Sequence, residues 1–286
     1  MMVISQQQRI RTMSKASLDA KIAEFRKLHE HGGLLLNNCW DVFTAKIAES
    51  VGAKALATTS AGVAWSHGVP DGHHATRNLV LQGAAAIVAQ TALPVTVDIE
   101  DGFVSQGDSK TAVVTALMEA GVAGVNIEDS QDGRLLSIEG GVARLKAFRA
   151  VASSMSYSLF INARIDAMLR QECNDSAALI ERANAYLAAG ADCIFIPGLT
   201  DLTLCRLISS SISGPLNTMS LPGSPTAAQF FEAGVARVSA GSFHAESAYG
   251  HVLTQMRHFQ ESGMLDPSEH HLGYVDANAL SHGEHS

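Results

Sequence analysis

The stretch VTVDIEDGF, residues 95–103, contains the pattern that decides the fold, an apolar β-branched run that ends in acids and a glycine. Similar short apolar runs recur along the chain, separated by longer amphipathic stretches. The strand candidates are Leu34–Asn38, Ala55–Ser60, Val95–Asp98, Val122–Glu128, Leu159–Arg164, Cys193–Pro197, Leu216–Met219 and Arg237–Ala240. Strands that alternate with helices predict βαβ units and a parallel sheet. Eight such units in 286 residues predict a closed (β/α)8 barrel, an α/β fold.

A recurring glycine supports this phase of strands and helices. It appears in SVGA (50–53), EAGV (119–122), AAGA (188–191) and EAGV (232–235), each time just before a strand candidate. A glycine just past a helix end takes the left-handed conformation that stops the helix. An open, doubly wound sheet is the alternative architecture, but no G-x-G-x-x-G dinucleotide motif follows the first strand.

The sequence divides into three predicted segments. Residues 1–32 contain a frayed tail, Met1–Thr12, and a helix, Ser14–Glu30. Residues 33–264 form the barrel. Residues 265–286 are a polar, His-rich C-terminal extension that is either disordered or packed on another subunit. The expected fold is therefore a (β/α)8 barrel with an N-terminal helix and a C-terminal helical extension.

Composition excludes several classes of protein. The formal charge of −8, without a Lys/Arg stripe, argues against a nucleic-acid partner. No segment has the roughly 18 uninterrupted apolar residues of a membrane helix, and no signal core opens the chain, so no membrane association and a cytoplasmic location are expected. The four cysteines, Cys39, Cys173, Cys193 and Cys205, form no CxxC pair. Buried free thiols are expected there, with disulfides or metal ligands as the alternative.

Polar side chains cluster where the strand candidates end, which is where barrel enzymes place their catalytic groups. Asp98 and Glu100 end the third strand, Glu128 ends the fourth and Arg164 the fifth, while Asp71 lies in the loop after the second. Converging carboxylates repel one another unless a cation neutralises them. Oxygen ligands without a His or Cys partner favour Mg²⁺ or Mn²⁺ over zinc. The arginine offers a planar fork for a carboxylate or phosphate.

Taken singly, the acids also have structural explanations. Asp98 could cap the next helix, Glu128 and Asp129 could open a loop, and a Pro-Asp-Gly turn fully explains Asp71. It is their occurrence together at one end of neighbouring strands that favours a site.

Other polar residues near the second strand can also be interpreted in more than one way. His73 and His74 are expected to be solvated loop histidines. Ser60 and Gly62 either present backbone N–H groups to an anion or only make a tight turn.

These motifs resemble the phosphoenolpyruvate mutase/isocitrate lyase superfamily. The resemblance runs from about Leu34 to Phe259. It rests on TSAG (59–62) with GVPD (68–71), on DIEDGF (98–103), on NIED (126–129) and on NARID (162–166).

The resemblance implies a barrel that holds Mg²⁺, or Mn²⁺, with a 2-oxocarboxylate or its enol bound across the metal. In it, Asp98 holds the metal, and Asp71, Glu100 and Glu128 surround it, mostly through water. The substrate-binding residues implied are Thr59, Ser60, Ala61 and Arg164, with the oxyanion near the backbone of Ser60 and Ala61, and the catalytic residues implied are Arg164 and Asp71. The resemblance also implies a homotetramer in which paired subunits exchange their C-terminal helix.

One loop departs from the superfamily pattern. The carbon–carbon lyases carry a Lys-Lys/Arg-Cys-Gly-His loop after the fourth strand, and its cysteine is the acid/base. Here the stretch is DSQDGRLLSIE, residues 129–139, with neither cysteine nor histidine. The longer mutase loop with Lys and Asn is not recognisable either, and Glu100 stands where an Asp is common.

The prediction is therefore a phosphonomutase-like member that lacks the lyase loop. We expect a Mg²⁺-dependent lyase or decarboxylase acting on a small 2-oxo (di)carboxylate through a metal-stabilised enolate, because decarboxylation requires little beyond an electron sink. The alternatives are a phosphoenolpyruvate phosphonomutase and a non-catalytic metabolite-binding barrel.

Overall fold

A computed structural model describes residues 14–30, 32–266 and 270–282, and within them eight parallel strands close into a barrel. These strands are β1 (Leu34–Cys39), β2 (Leu56–Thr58), β3 (Val95–Asp98), β4 (Gly124–Glu128), β7 (Phe160–Arg164), β8 (Cys193–Phe195), β9 (Leu216–Met219) and β10 (Arg237–Ser239); β5 (Ser130–Gln131) and β6 (Arg134–Leu135) form a separate hairpin. The order around the barrel is β1-β10-β9-β8-β7-β4-β3-β2. The predicted (β/α)8 fold is confirmed.

Helices surround the barrel. They are α1 (Lys15–Glu30), α2 (Val42–Ser50), α3 (Ser60–Ser66), α4 (Arg77–Gln90), α5 (Lys110–Glu119), α6 (Ile138–Ser154), α7 (Ser176–Ala188), α8 (Leu202–Ser211), α9 (Ala227–Glu232), α10 (Phe243–Ser262) and α11 (Tyr274–His282). Ser60, predicted to end a strand, instead begins α3. None of the helices formed by the described residues has the length and apolar character needed to cross a bilayer.

The predicted glycine turns are confirmed. Gly52, Gly121, Gly190 and Gly234 have φ angles of 84°, 74°, 103° and 86°, in the left-handed region. Each lies between a helix and the strand that follows it, so the turn chemistry sets the phase of the repeat. The cysteines are free, as expected, and all but the half-buried Cys173 are buried.

Helix α1 closes the N-terminal end of the barrel. Phe25 is fully buried, and its ring centroid lies 4.9 Å from that of Phe160, the first residue of β7. Gly124, the first residue of β4, leaves the space for it, because a Cβ there would lie 3.0 Å from Phe25 Cε1. Arg26 pairs with Asp192, the residue immediately before β8. Access to the barrel interior is therefore from the opposite end.

The two ends of the chain differ in how far they can be described. The predicted tail Met1–Thr12 lies outside the described residues. At the other end, α11 packs against α2 of the same chain. The division of the chain at residues 32 and 264 stays a prediction.

Candidate active site

The C-terminal ends of β3, β4 and β7 bring the predicted acids and arginine together. Asp98, Glu100 and Glu128 are all buried, with relative exposures of 9%, 6% and 7%. The backbone N–H of Glu128 donates to the carbonyl of Glu100 over 2.9 Å, which ties the two strand ends together. Asp98 accepts from the N–H of Glu100 over 3.0 Å. Three carboxylates therefore converge at the mouth of the barrel.

Glu100 reaches this position through a turn that is unusual for its residue type. Its φ of 51° lies in the left-handed region, which costs a non-glycine residue about 1–3 kcal/mol. The turn is stabilised by the hydrogen bond from Gly102 N–H to the carbonyl of Ile99, 2.8 Å. Backbone strain at this point directs the Glu100 carboxylate into the mouth.

Arg164 is the main positive charge among the acids. Its Nε and Nη2 lie 2.5 and 3.2 Å from the two carboxylate oxygens of Asp166, so one edge of the fork is engaged within the protein. Its Nη1 faces the other way, 3.6 Å from Asp98 and 3.3 Å from Glu128. Burial opposes the charge, but these carboxylates outweigh it and raise the pKa of Arg164 above its ordinary value. Nη1 is thus the atom that faces the site.

His73 lies among the same acids, so its prediction as a solvated loop histidine is wrong. Its Nδ1 lies 2.7 Å from Glu100 Oε2, and its Nε2 lies 3.4 Å from Glu128 Oε1. The contact with Glu100, followed by that with Glu128, raises the pKa of His73 to about 10. Gln106 holds the loop in place by donating to the carbonyls of His73 and Ala75. His74, in contrast, is exposed, as predicted.

The acids respond differently to this environment. Burial is the largest influence on Asp98 and raises its pKa to about 7, although Arg164 works in the opposite direction. Burial also opposes ionisation of Glu128, but contacts with His73 and Arg164 prevail and lower its pKa. Of these two acids, Asp98 is therefore the one that the protein alone stabilises less as an anion.

The acids border two cavities that share Ser60, Asp71, Arg164 and Leu169 in their linings. The outer one, about 580 Å³, is lined by Asp71, His73, Glu100, Glu128 and Arg164 together with loop residues. The inner one, about 190 Å³, is lined by Asn38, Thr59, Ser60, Ala61, Asp71, Asp98, Asn126 and Arg164, with an apolar wall that includes Phe195, Pro197 and Met219. A cavity of this size is below the roughly 300–1,000 Å³ of pockets for drug-sized ligands. It suits a small metabolite.

The predicted substrate-binding turn lies at the inner cavity. Thr59 is the N-cap residue of α3 but makes no side-chain cap hydrogen bond, and the first backbone bond of the helix runs from Val63 N–H to Thr59 O, 3.0 Å. The N–H groups of Ser60 and Ala61 therefore precede the intrahelical ladder. Asp71 lines both cavities but is exposed, and within the described residues it forms no ion pair with His73 or Arg164.

The loop after β4 is a small hairpin that was not predicted from the sequence. Strand β5 (Ser130–Gln131) pairs with β6 (Arg134–Leu135) across Asp132 and Gly133, whose φ angles are 50° and 74°. Two positive φ angles at an Asp-Gly pair are the signature of a tight hairpin turn. That dipeptide was the signal available in the sequence. The hairpin occupies the position of the lyase loop.

Two buried groups lie behind the site: Arg144, which was not predicted, and Asp129, which was considered only as a residue that opens a loop. Arg144 of α6 donates to the carbonyls of Glu128 and Ser130, both over 2.8 Å. Asp129 accepts from Asp166 N–H over 2.9 Å and from Tyr186 over 2.9 Å. These contacts fix the backbone on both sides of Glu128. These contacts join residues that are far apart in the sequence, so no local sequence pattern predicts them.

The donors available at the mouth are those of a water-rich magnesium site. All the acids offer hard oxygen atoms, and the buried Oε2 of Glu100 faces His73 Nδ1. Within residues 14–30, 32–266 and 270–282, no three His, Cys, Asp or Glu side chains are arranged to hold one ion directly. Mg²⁺ commonly uses one or two carboxylates and keeps several waters. The residues present therefore fit such an ion, and do not form an all-protein cage.

Comparison with known proteins gives a consistent result. The model of the phosphoenolpyruvate phosphomutase family matches residues 25–260. An uncharacterised protein of Mycobacterium tuberculosis (strain H37Rv) is 38% identical over 76% of this chain and 81% of its own. A 2-methylisocitrate lyase of Halalkalibacterium halodurans is 35% identical over 67% of this chain and 65% of its own. A solved Burkholderia cenocepacia J2315 protein, assigned only provisionally as a lyase/mutase, is similar with a TM-score of 0.85, 30% identity, and coverage of 93% of this chain and 97% of its own.

Proposed function

Because the chain belongs to the phosphoenolpyruvate phosphomutase family, within the phosphoenolpyruvate mutase/isocitrate lyase superfamily, we propose that it is a Mg²⁺-dependent lyase or decarboxylase acting on a small 2-oxo dicarboxylate. The observation that carries this proposal is the convergence of Asp98, Glu100 and Glu128 with Arg164 at the barrel mouth. These acids repel one another unless a cation is present.

Asp98 would hold the metal directly, and Glu100, Glu128 and Asp71 would hold it through water. Bound there, Mg²⁺ would stabilise the negative charge that develops on the 2-oxo oxygen when the substrate becomes an enolate. Mn²⁺ has similar ligand preferences and is the alternative ion.

The protein's own residues bind and orient the substrate. Arg164 Nη1 faces the cavities and is the group that contacts a substrate carboxylate, while Asp166 holds the other edge of the fork fixed. The uncapped N–H groups of Ser60 and Ala61 lie at the inner cavity and would support the oxyanion. Preorganised donors of this kind act strongly where water is excluded.

The apolar wall of Phe195, Pro197 and Met219 suits the departure of a carboxylate as carbon dioxide. An anion next to apolar groups is poorly solvated, and its conversion to a neutral molecule relieves that cost. In oxaloacetate, the C3–C4 bond breaks, C4 leaves as CO₂, and the electron pair passes through C3 to the 2-oxo oxygen as an enolate. A proton from solvent then adds to C3 and gives pyruvate. This sequence uses no loop cysteine.

Two other functions remain as alternatives. The family match favours a phosphonomutase, but the hairpin at 129–136 offers no Lys or Asn for a phosphonyl group. The loss of the lyase cysteine also favours a barrel that binds a metabolite without turning it over.

The same proposal extends to the assembly. The first half of α10 packs near the barrel, where the rings of Trp40 and Tyr249 lie 6.0 Å apart. Its second half has an exposed apolar face, with Val252, Met256 and Phe259 exposed by 43%, 67% and 51%. Their spacing puts them on one side of the helix. We propose that this face is covered in a homotetramer of paired subunits.

The test of function is turnover with Mg²⁺ on oxaloacetate, 2-methylisocitrate, isocitrate and phosphonopyruvate, with product followed directly. Release of CO₂ and pyruvate from oxaloacetate, abolished by a chelator, is the expected result. Turnover of phosphonopyruvate alone would favour the mutase. Thermal stabilisation by these acids without turnover would favour the binding barrel.

A further inference from the structure

Asn126 carries an amide whose orientation is fixed by the barrel interior. Its Oδ1 accepts from Asn162 Nδ2 over 2.8 Å and from Arg237 Nη2 over 3.3 Å. A guanidinium can only donate, so the atom facing it must be the amide oxygen. The amide nitrogen of Asn126 is left to face the other way. Within the described chain it makes no hydrogen bond.

The free amide nitrogen lies beside the proposed metal ligand. Asn126 of β4 is the direct register partner of Asp98 of β3, and both residues line the inner cavity. A ligand bound across Asp98 therefore presents an oxygen to Asn126. The amide N–H is a donor suited to a carboxylate or enolate oxygen.

Arg237 is unusual enough to require an explanation. It opens β10, is fully buried, and reaches across the barrel to β4, four strands away in either direction around the sheet. Its Nε and Nη1 have no hydrogen-bond partner. A buried charge with unpaired donors does not stabilise a fold efficiently, and apolar replacements of such groups are often neutral or stabilising. A role in the site, exerted through the contact with Asn126, would explain why an arginine is present at this buried position.

On the basis of the proposed function, we propose that Asn126 determines specificity by donating a hydrogen bond from Nδ2 to a carboxylate or enolate oxygen of the substrate. Arg237 is a positioning residue, because its contact with Oδ1 fixes the orientation of the Asn126 amide. The ligand class is a small planar 2-oxo acid, its enolate, or a dicarboxylate of the same shape.

The experiment measures binding of oxalate, a planar enolate mimic, in the presence of Mg²⁺ by titration calorimetry. We expect Asn126→Ala to weaken oxalate affinity about 10- to 100-fold, as for loss of a hydrogen bond to a charged group. Arg237→Met should weaken it about 3- to 10-fold, since the donor stays but its orientation is freed. The double variant should bind no more weakly than Asn126→Ala alone, because Arg237 acts through Asn126. The melting temperature of Arg237→Met should not fall.

Asn217→Ala is the matched control, because Asn217 is a fully buried interior amide of β9 that does not line the cavity. Its oxalate affinity should equal that of the wild type. Unchanged affinity in Asn126→Ala, or additive losses in the double variant, would overturn the inference and leave the proposed function standing. A lowered melting temperature with normal affinity in Arg237→Met would make that residue structural. Failure of the wild type to bind oxalate or any of the tested acids would overturn both proposals.

Discussion

Nδ1 of His73 lies 2.7 Å from Oε2 of Glu100, so a histidine side chain neutralises the carboxylate cluster from within the protein. The loop that carries it has positive φ angles at Gly72 and His73, 86° and 67°, which turn the imidazole toward the mouth. A cation entering the site must compete with this contact. The relationship gives a prediction about stability as well as about metal binding.

His73→Gln is expected to destabilise the metal-free protein at neutral pH. The pKa of His73 is raised from 6.5 to about 10, so its contribution is fully present below pH 6.5 and disappears as pH rises through about 10. The difference in unfolding free energy should be about 1–3 kcal/mol near pH 6 and vanish above pH 10. Urea unfolding at several pH values, with His74→Gln as the exposed control, measures it. A pH-independent difference would contradict the ion pair.

Asp98→Asn is expected to remove Mg²⁺-dependent activity while making the metal-free protein more stable at neutral pH. The pKa of Asp98 is raised from 3.8 to about 7, so the wild type loses stability as pH rises from about 4 to about 7. Asparagine keeps an oxygen to accept from Glu100 N–H and has no charge to bury. Melting curves at pH 5 and pH 8, with and without Mg²⁺, test this. If Mg²⁺ stabilised the variant as much as the wild type, Asp98 would not hold the metal.

Arg164→Lys is expected to weaken substrate binding by about tenfold or more, although the charge is unchanged. Lysine can replace only one of the contacts that the guanidinium makes, because the two-pronged pairing with Asp166 and the contacts of Nη1 need the planar fork. The apparent affinity for oxalate or substrate is the measurement. Arg149→Lys is a matched control, since Arg149 pairs with Asp192 and the carbonyl of Gly190 away from the cavities. Equal losses in both variants would make Arg164 merely structural.

Met256→Glu is expected to reduce the size of the assembly in solution. The substitution puts a charge on the exposed apolar face of α10, and burying an unpaired charge in an interface is costly. Light scattering after gel filtration measures the mass. Thr254→Glu adds the same charge on the opposite side of the helix and should leave the mass unchanged. A wild type that is monomeric at all concentrations would disprove the proposed tetramer.

The strands were predictable because they are short runs that, apart from Leu35 in β1, are largely buried, and glycines at 52, 121, 190 and 234 mark the turns before four of them. Asp98, Glu100, Glu128 and Arg164 were predictable because parallel strands bring their ends to one face. The contacts of these residues were not.

His73 was missed because its position depends on Gln106, 33 residues away in the chain, and on a reversal of the backbone. Arg237 was missed because its partner is 111 residues distant. The available signal was a lone arginine between apolar residues in VARVS, 235–239. A charged residue in an otherwise buried strand needs a hydrogen-bond partner, and here the partner is brought close only when the barrel closes.

The position of α1, which closes the N-terminal end of the barrel, also has a consequence for folding during synthesis. Phe25 packs against Phe160, and Arg26 pairs with Asp192, a separation of 166 residues. Helix α1 therefore lacks a complete docking surface until the ribosome has synthesised the chain as far as Asp192. Until then its apolar face, which includes Leu18 and Ile22, has no barrel surface to pack against. The early nascent chain consequently carries an exposed hydrophobic segment. Deletion of α1 from the folded protein would likewise expose the apolar residues at the N-terminal end of the barrel, such as Phe160.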